Sequence, residues 1–248
     1  MHNDDVMVGR LLTRRELVAL LGMSSVAAMA EPLAGQSPGA AVPGCVVQPE
    51  QTEGPYFVDK MLNRGDIRVD PVTKAAKAGL PLRLTFNVSQ VTGGKCAPLP
   101  GAQVDIWQCD IEGVYSGVKD PRFDTVGQNF LRGYQVTDAK GTANFMTVYP
   151  GWYPGRAVHI HFKVRTTPAA AKGHEFTSQV YFDEVFTDRV FAREPYSKRS
   201  GERMKNEGDG IFQRERGKEL IMPVTENKAG YAGTFSLALN MGKPASNG

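Results

Sequence analysis

The stretch Leu82-Arg83-Leu84-Thr85-Phe86-Asn87-Val88-Ser89 alternates apolar and polar side chains residue by residue. Side chains of a β-strand leave opposite faces in turn, so this pattern predicts a strand with one face in a core and one in water. Working outward, strand character recurs at 102–109, 130–137, 142–148, 157–165, 177–183 and 232–240. Turn signals separate these runs, at Pro98–Gly101, Asp138–Gly141, Pro150-Gly151 and Lys228–Gly230. Short strands at this spacing predict an all-β fold, an antiparallel β-sandwich core with an N-terminal arm and long loop excursions. Residues 189–217 break the pattern: they are polar and charged, with short helices expected around Arg189–Arg193. Long excursions of this kind are often functional.

At 248 residues and 41% hydrophobic, the chain is long enough to bury a sizeable core. The net charge is only +3, with Lys and Arg scattered along the chain, which gives no basis for a nucleic-acid partner. Residues 80–248 are read as the sandwich domain and 31–79 as a Pro/Gly-rich linker followed by the arm. Residues 1–30 read as an export signal. Thr13-Arg14-Arg15-Glu16-Leu17-Val18 places a twin arginine before an apolar run that ends in Ala28-Met29-Ala30, an A-x-A cleavage pattern. The run is too short for a stable membrane anchor. The expected location is periplasmic or extracellular.

Such a compartment permits disulfides. Cys45, Cys96 and Cys109 leave one thiol over if a bond forms. Cys109 ends a strand that begins near Gln103, and six strand residues span about 20 Å. That makes Cys96–Cys109 awkward, because bonded cysteines need Cα atoms about 4.4–6.8 Å apart. Cys45–Cys96 is the expected pair, and three reduced cysteines are the alternative.

Chemistry concentrates at Tyr153-Pro154-Gly155-Arg156-Ala157-Val158-His159-Ile160-His161-Phe162. On a strand, Ile160, Phe162 and Val164 point into the core. His159 and His161 point the other way, with Cα atoms roughly 6.5–7 Å apart, close enough to share one ion. A histidine pair alone is a weak metal signal. Its neighbours strengthen it: Tyr153 and Arg156 lie just upstream, and Tyr115 follows the strand-and-turn segment Val104–Gly113. Tyr153 to His161 contains neither Asp nor Glu. The usual Fe(II) oxygenase set of two histidines and a carboxylate is therefore not encoded there.

This combination resembles the intradiol ring-cleavage dioxygenases, the family of protocatechuate 3,4-dioxygenase and catechol 1,2-dioxygenase. The matching residues are PLPGAQVDIWQCDIEGVYSG (98–117), LRGYQVTDAKGTANFMTVYPGWYPGRAVHIHF (131–162), SQVYF (178–182) and QTEGPY (51–56). The resemblance implies a non-haem Fe(III) held by Tyr115, Tyr153, His159 and His161. A free tyrosine has a pKa of about 10, so an ionised pair at neutral pH calls for a strong Lewis acid such as ferric iron.

By the same resemblance the partners are a small-molecule catechol and O2. Both oxygen atoms enter a ring that opens between its hydroxyl-bearing carbons, giving a cis,cis-muconate-type diacid. Tyr153 takes up a substrate proton, and Arg156 stabilises charge that builds on the ring. Gln179 is a second pocket residue. Trp107 walls the binding slot, and Thr52, Gly54 and Tyr56 belong to an arm that closes over the site. The chain lacks the long helical N-terminal region of the catechol enzymes and looks more like secreted members; a homodimer is an admissible assembly. The competing reading is a secreted β-sandwich metal-binding module without turnover. Tyr115, in register with Tyr153, is what such a module does not need.

Overall fold

The computed structural model describes residues 45–166 and 173–241. The export signal read at 1–30 and the linker through residue 44 lie outside the described residues. The spine of the fold is strand β1 (Pro81–Thr92), whose inward residues Leu82, Leu84, Phe86 and Val88 are buried as their alternation requires. One edge of β1 pairs with β11 (Gly230–Asn240), beyond which lies β10 (Val224–Asn227). The other edge is shared: its first half pairs with β7 (Thr142–Val148) and its last residues pair with β2 (Lys95–Pro98).

The second sheet has the order β6-β3-β8-β9, from Arg132–Val136, Gln103–Trp107, His159–Arg165 and Glu175–Tyr181. A small hairpin, β4 (Lys119–Asp120) and β5 (Phe123–Asp124), stands apart. The sheets meet through aromatic rings: Phe162 of β8 lies 5.2 Å from Phe86 and 5.5 Å from Phe235, centroid to centroid. Burying each such side chain contributes about 1.5–3 kcal/mol.

The all-β sandwich holds, and its pairings are mostly antiparallel. The departure is β1 against β11, which run parallel from Leu82–Tyr231 to Val91–Asn240. Helices also fall differently from expectation. Helix α1 covers Glu184–Phe191 rather than centring on Arg189–Arg193. Asp183 sets its start, its carboxylate accepting from the Phe186 N–H at 2.8 Å, which also ends β9 two residues before the expected position. A second short helix, α2, covers Gly210–Arg214. Strands β2 and β10 and the β4–β5 hairpin carry no apolar periodicity, since they are short and largely exposed.

The arm is part of the sandwich. Ile67 is fully buried, and the arm pairs by isolated bridges with Tyr134 and Met146. Its start is held by a Cys45–Cys96 disulfide, the expected pair, and Cys109 is free and buried. Val46 and Pro49 give carbonyls to Ala238 N–H (2.8 Å) and Ser178 Oγ–H (2.8 Å). The arm thus runs from the edge of one sheet to the outer face of the other.

Candidate active site

Sheet register places the site. His161 of β8 is paired with Trp107 of β3 on one side and with Gln179 of β9 on the other; His159 is paired with Tyr181. Directly opposed residues on neighbouring strands share a face. Trp107, His161 and Gln179 therefore form one row across three strands, and His159 and Tyr181 begin the next. The face opposite carries Ile160, Phe162 and Val164 into the core, all fully buried. An outer sandwich face is normally wet, yet His159 and His161 are only 2% and 1% exposed. The arm and two loops cover them.

The loops bring the tyrosines. After β3 the chain turns at Asp110, whose carboxylate accepts from the N–H groups of Glu112 and Val114 at 3.0 Å each. This delivers Tyr115, fully buried, with its carbonyl held by Thr125 Oγ–H at 2.6 Å. The loop carrying Tyr153 packs on it so closely that each needs a glycine. A Cβ on Gly113 would lie 2.3 Å from the Trp152 carbonyl, and one on Gly151 would lie 2.3 Å from the Asp110 carbonyl.

The four side chains converge. Tyr115 Oη and Tyr153 Oη each lie 3.3 Å from His159 Nε2, and His161 Nε2 lies 3.1 Å from the same atom. His159 Nδ1–H donates to the Ala157 carbonyl at 2.6 Å, which leaves a lone pair on Nε2. Burial, reinforced by the Arg156 charge, lowers His159 to about 3. Burial and the neighbouring His159 hold His161 well below the ordinary histidine range. Both imidazoles are therefore neutral at physiological pH. Burial raises both phenols: Tyr115 is pushed further by Tyr153, whereas Arg156 opposes the rise at Tyr153.

Two neutral imidazoles and two buried hydroxyls facing one another suit a cation that can ionise the phenols. Among the described residues, no group of three or more His, Cys, Asp or Glu side chains is placed to hold a metal ion. The side chains that could hold an ion at this point are therefore the two histidines and the two tyrosines.

The remaining expected residues surround this cage. Trp107 stacks on His161, centroids 5.0 Å apart and planes 8° apart, and is itself 1% exposed. Its face is thus turned to the imidazole and to Phe57 of the arm, 4.8 Å away. Tyr56 stacks on Tyr115 at 4.4 Å and donates its hydroxyl to Asp120 Oδ2 at 2.8 Å. Gly54, at φ +71°, passes over His161. Thr52 gives its carbonyl to Gln179 Nε2–H at 3.1 Å. Arg156 donates through Nη2 to Gln179 Oε1 at 2.5 Å.

Two further participants are not among the residues that the sequence singles out. Tyr181 donates to Gln51 Oε1 at 3.0 Å and accepts from Arg156 Nη2 at 3.1 Å. The available signal was its position two residues beyond Gln179 on the same strand face. Asp209 pairs with Arg156 Nε at 2.9 Å, and no motif marks it. Tyr149 stands away from the cage: its hydroxyl meets Thr187 Oγ1 at 2.8 Å, within the main core.

Comparison with known proteins gives the family. A family model described as "Dioxygenase" matches residues 52–200, from the arm through both loops, β8, β9 and α1. Among curated relatives, chlorocatechol 1,2-dioxygenase of Pseudomonas putida is 30% identical over 152 residues, 53% of this chain and 52% of that one. The protocatechuate 3,4-dioxygenase beta chain of Burkholderia cepacia is 32% identical over 129 residues, 48% of this chain and 53% of that one. The chain thus spans about half the length of these relatives. Among solved structures, an intradiol ring-cleavage dioxygenase from Tetranychus urticae superposes with a TM-score of 0.69 at 36% identity, over 79% of this chain and 95% of that one. A likeness of that extent, with a family match that takes in the arm and the whole cage, identifies the chain as a member of the intradiol ring-cleavage dioxygenase family.

Proposed function

We propose that the protein is a non-haem Fe(III)-dependent intradiol dioxygenase that cleaves a catechol-type ring with O2 to a cis,cis-muconate-type diacid. The observation that carries this is the convergence of Tyr115, Tyr153 and His161 on His159 Nε2, at 3.1–3.3 Å in a buried cage. Those four residues are the metal ligands. Bound ferric iron supplies the Lewis acidity that keeps the phenols and the catechol oxygens ionised and makes the ring open to O2.

The chain's own residues do the rest. The Ala157 carbonyl fixes the His159 tautomer through Nδ1. Trp107 holds the plane of His161. Tyr153 is 9% exposed where Tyr115 is wholly buried, so it is the ligand at the accessible side and its Oη receives a substrate proton. Arg156, half-buried beside that loop and charged, stabilises negative charge on the ring, and Gln179 orients it. Thr52, Gly54 and Tyr56 of the arm exclude water from the cage.

Two measurements test the reading. Tyrosinate-to-iron charge transfer makes the iron-loaded protein red to purple, and Tyr115→Phe or Tyr153→Phe shifts or bleaches that band. A colourless protein with full iron occupancy sinks the ligand assignment. Oxygen uptake with a panel of catechols, followed by the ultraviolet absorbance of muconate-type products, tests the reaction. A yellow semialdehyde product means extradiol cleavage, and binding without uptake favours a metal-binding module.

We infer also that the protein is exported to the periplasm or beyond. The Cys45–Cys96 disulfide supports an oxidising destination. Fractionation of a C-terminally tagged chain tests this; retention in the cytoplasm overturns it.

A further inference from the structure

The excursion 189–217 has little apolar periodicity, yet it reaches the loops that hold the cage. Arg199 Nη1 donates to the Ile111 carbonyl at 2.8 Å and to the Trp152 carbonyl at 2.5 Å, tying the Tyr115 loop to the Tyr153 loop. The Glu215 carbonyl accepts from Gln51 Nε2 at 3.0 Å, tying down the arm. The deepest contact is Asp209, whose side chain is wholly buried.

The two oxygens of Asp209 have separate tasks. Oδ1 accepts from the N–H groups of Ile211 (2.8 Å) and Phe212 (3.3 Å), capping α2. Oδ2 accepts from Arg156 Nε and from the Ala157 N–H, both at 2.9 Å. Arg156 Nη2 is spent on Gln179 and Tyr181. Among the described residues Nη1 donates no hydrogen bond, so it is the guanidinium nitrogen left for a ligand. A flexible arginine held at two of its three nitrogens has lost its rotamer freedom before any ligand arrives.

We propose that Asp209 is a positioning residue for ring cleavage: it fixes Arg156 so that Nη1 alone remains free to meet substrate charge. The inference rests on the functional reading above. It gives the polar excursion a purpose, since the carboxylate arrives from 53 residues beyond the arginine it orients. The ion pair also lets a guanidinium sit in a largely dry site, because an unpartnered charge there would be driven toward solvent.

The test is a double-mutant cycle on the iron-loaded full chain, using the catechol that wild type turns over fastest. Asp209→Ser keeps a capping oxygen for α2 and removes the partner of Arg156. The expected result is a kcat reduced about 10²-fold with KM changed only a few-fold. The resting visible band stays unchanged, because no ligand is touched. In an Arg156→Gln background, the same substitution lowers kcat less than about 2-fold, because the two residues act as a unit. Asp209→Asn repeats the cycle at constant volume should the serine variant not fold: a single amide oxygen cannot serve both the cap and the arginine. Equal loss in both backgrounds, or no loss beside Arg156, overturns the inference. A wild type that cleaves no catechol overturns the functional reading itself, and this inference with it.

Discussion

Trp107 lies parallel to His161, ring centroids 5.0 Å apart, in the dry space between β3 and the arm. The contact follows from register, since the two residues are direct partners across β3 and β8. Removing the indole takes away the surface that holds the imidazole in plane. Trp107→Ala is expected to cost about 3–5 kcal/mol of stability by denaturant unfolding. Metal analysis of the purified protein should show less iron per chain. Trp107→Phe keeps a flat partner and should retain most of both.

Gly54 crosses His161 at φ +71°, and a Cβ there would lie 3.3 Å from His161 Cε1. Gly54→Ala therefore strains the backbone and presses on the imidazole. The expected loss of stability is about 1–2 kcal/mol, larger than at a surface glycine with free space around it. A shifted visible band in the iron-loaded variant is the accompanying spectroscopic sign. An unchanged band would show that the arm yields instead of the histidine.

The Cys45–Cys96 bond closes a loop of 51 residues and anchors the start of the arm. Reducing it is expected to lower stability by about 2–4 kcal/mol, read as a drop in Tm with added reductant. Cys109 behaves differently. Burial, aided by Asp110, pushes its thiol up to about 12. A thiol reagent should find no reactive cysteine in the native protein and one after unfolding without reductant.

Asp70 accepts from the N–H groups of Val72, Thr73 and Asn129, at 2.8, 2.9 and 2.5 Å. Burial raises its carboxyl, but these three donors together bring it below the ordinary range. The folded state thus favours the carboxylate. That contribution is complete above the unfolded-state value of about 3.9 and is lost as pH falls through the lower folded value. Stability measured from pH 6 downward should therefore hold level and then fall below about pH 4. Asp70→Asn should flatten that acid slope while lowering the plateau.

The sequence shows clearly what periodicity encodes. The alternation at Leu82–Ser89 marks β1, and that at His159–Val164 puts two histidines opposite a core face, as found. Tyr115 and Tyr153 were legible through motif spacing, and the structure brings both to His159. What stayed hidden depends on contacts that no local pattern records. Asp209 sits in Gly208-Asp209-Gly210, which reads as a turn, and its role appears only when that turn meets Arg156. Tyr181 looks like any strand aromatic until β8–β9 register sets it beside His159. The parallel alignment of β1 and β11 is likewise a matter of which strands meet, not of what each contains.

Trp107, His161 and Gln179 stand abreast because three strands agree on their pairing. Strand side chains repeat every two residues, so a slip of β8 by one position would send both imidazoles into the hydrocarbon interior and bring Ile160 and Phe162 out under the arm. No partial version of the centre survives such an error. Under the proposed ferric reading, colour is therefore expected to report alignment: a chain whose hydrogen-bond ladder closed in the native frame should take up iron and colour, and a misfolded one should stay colourless.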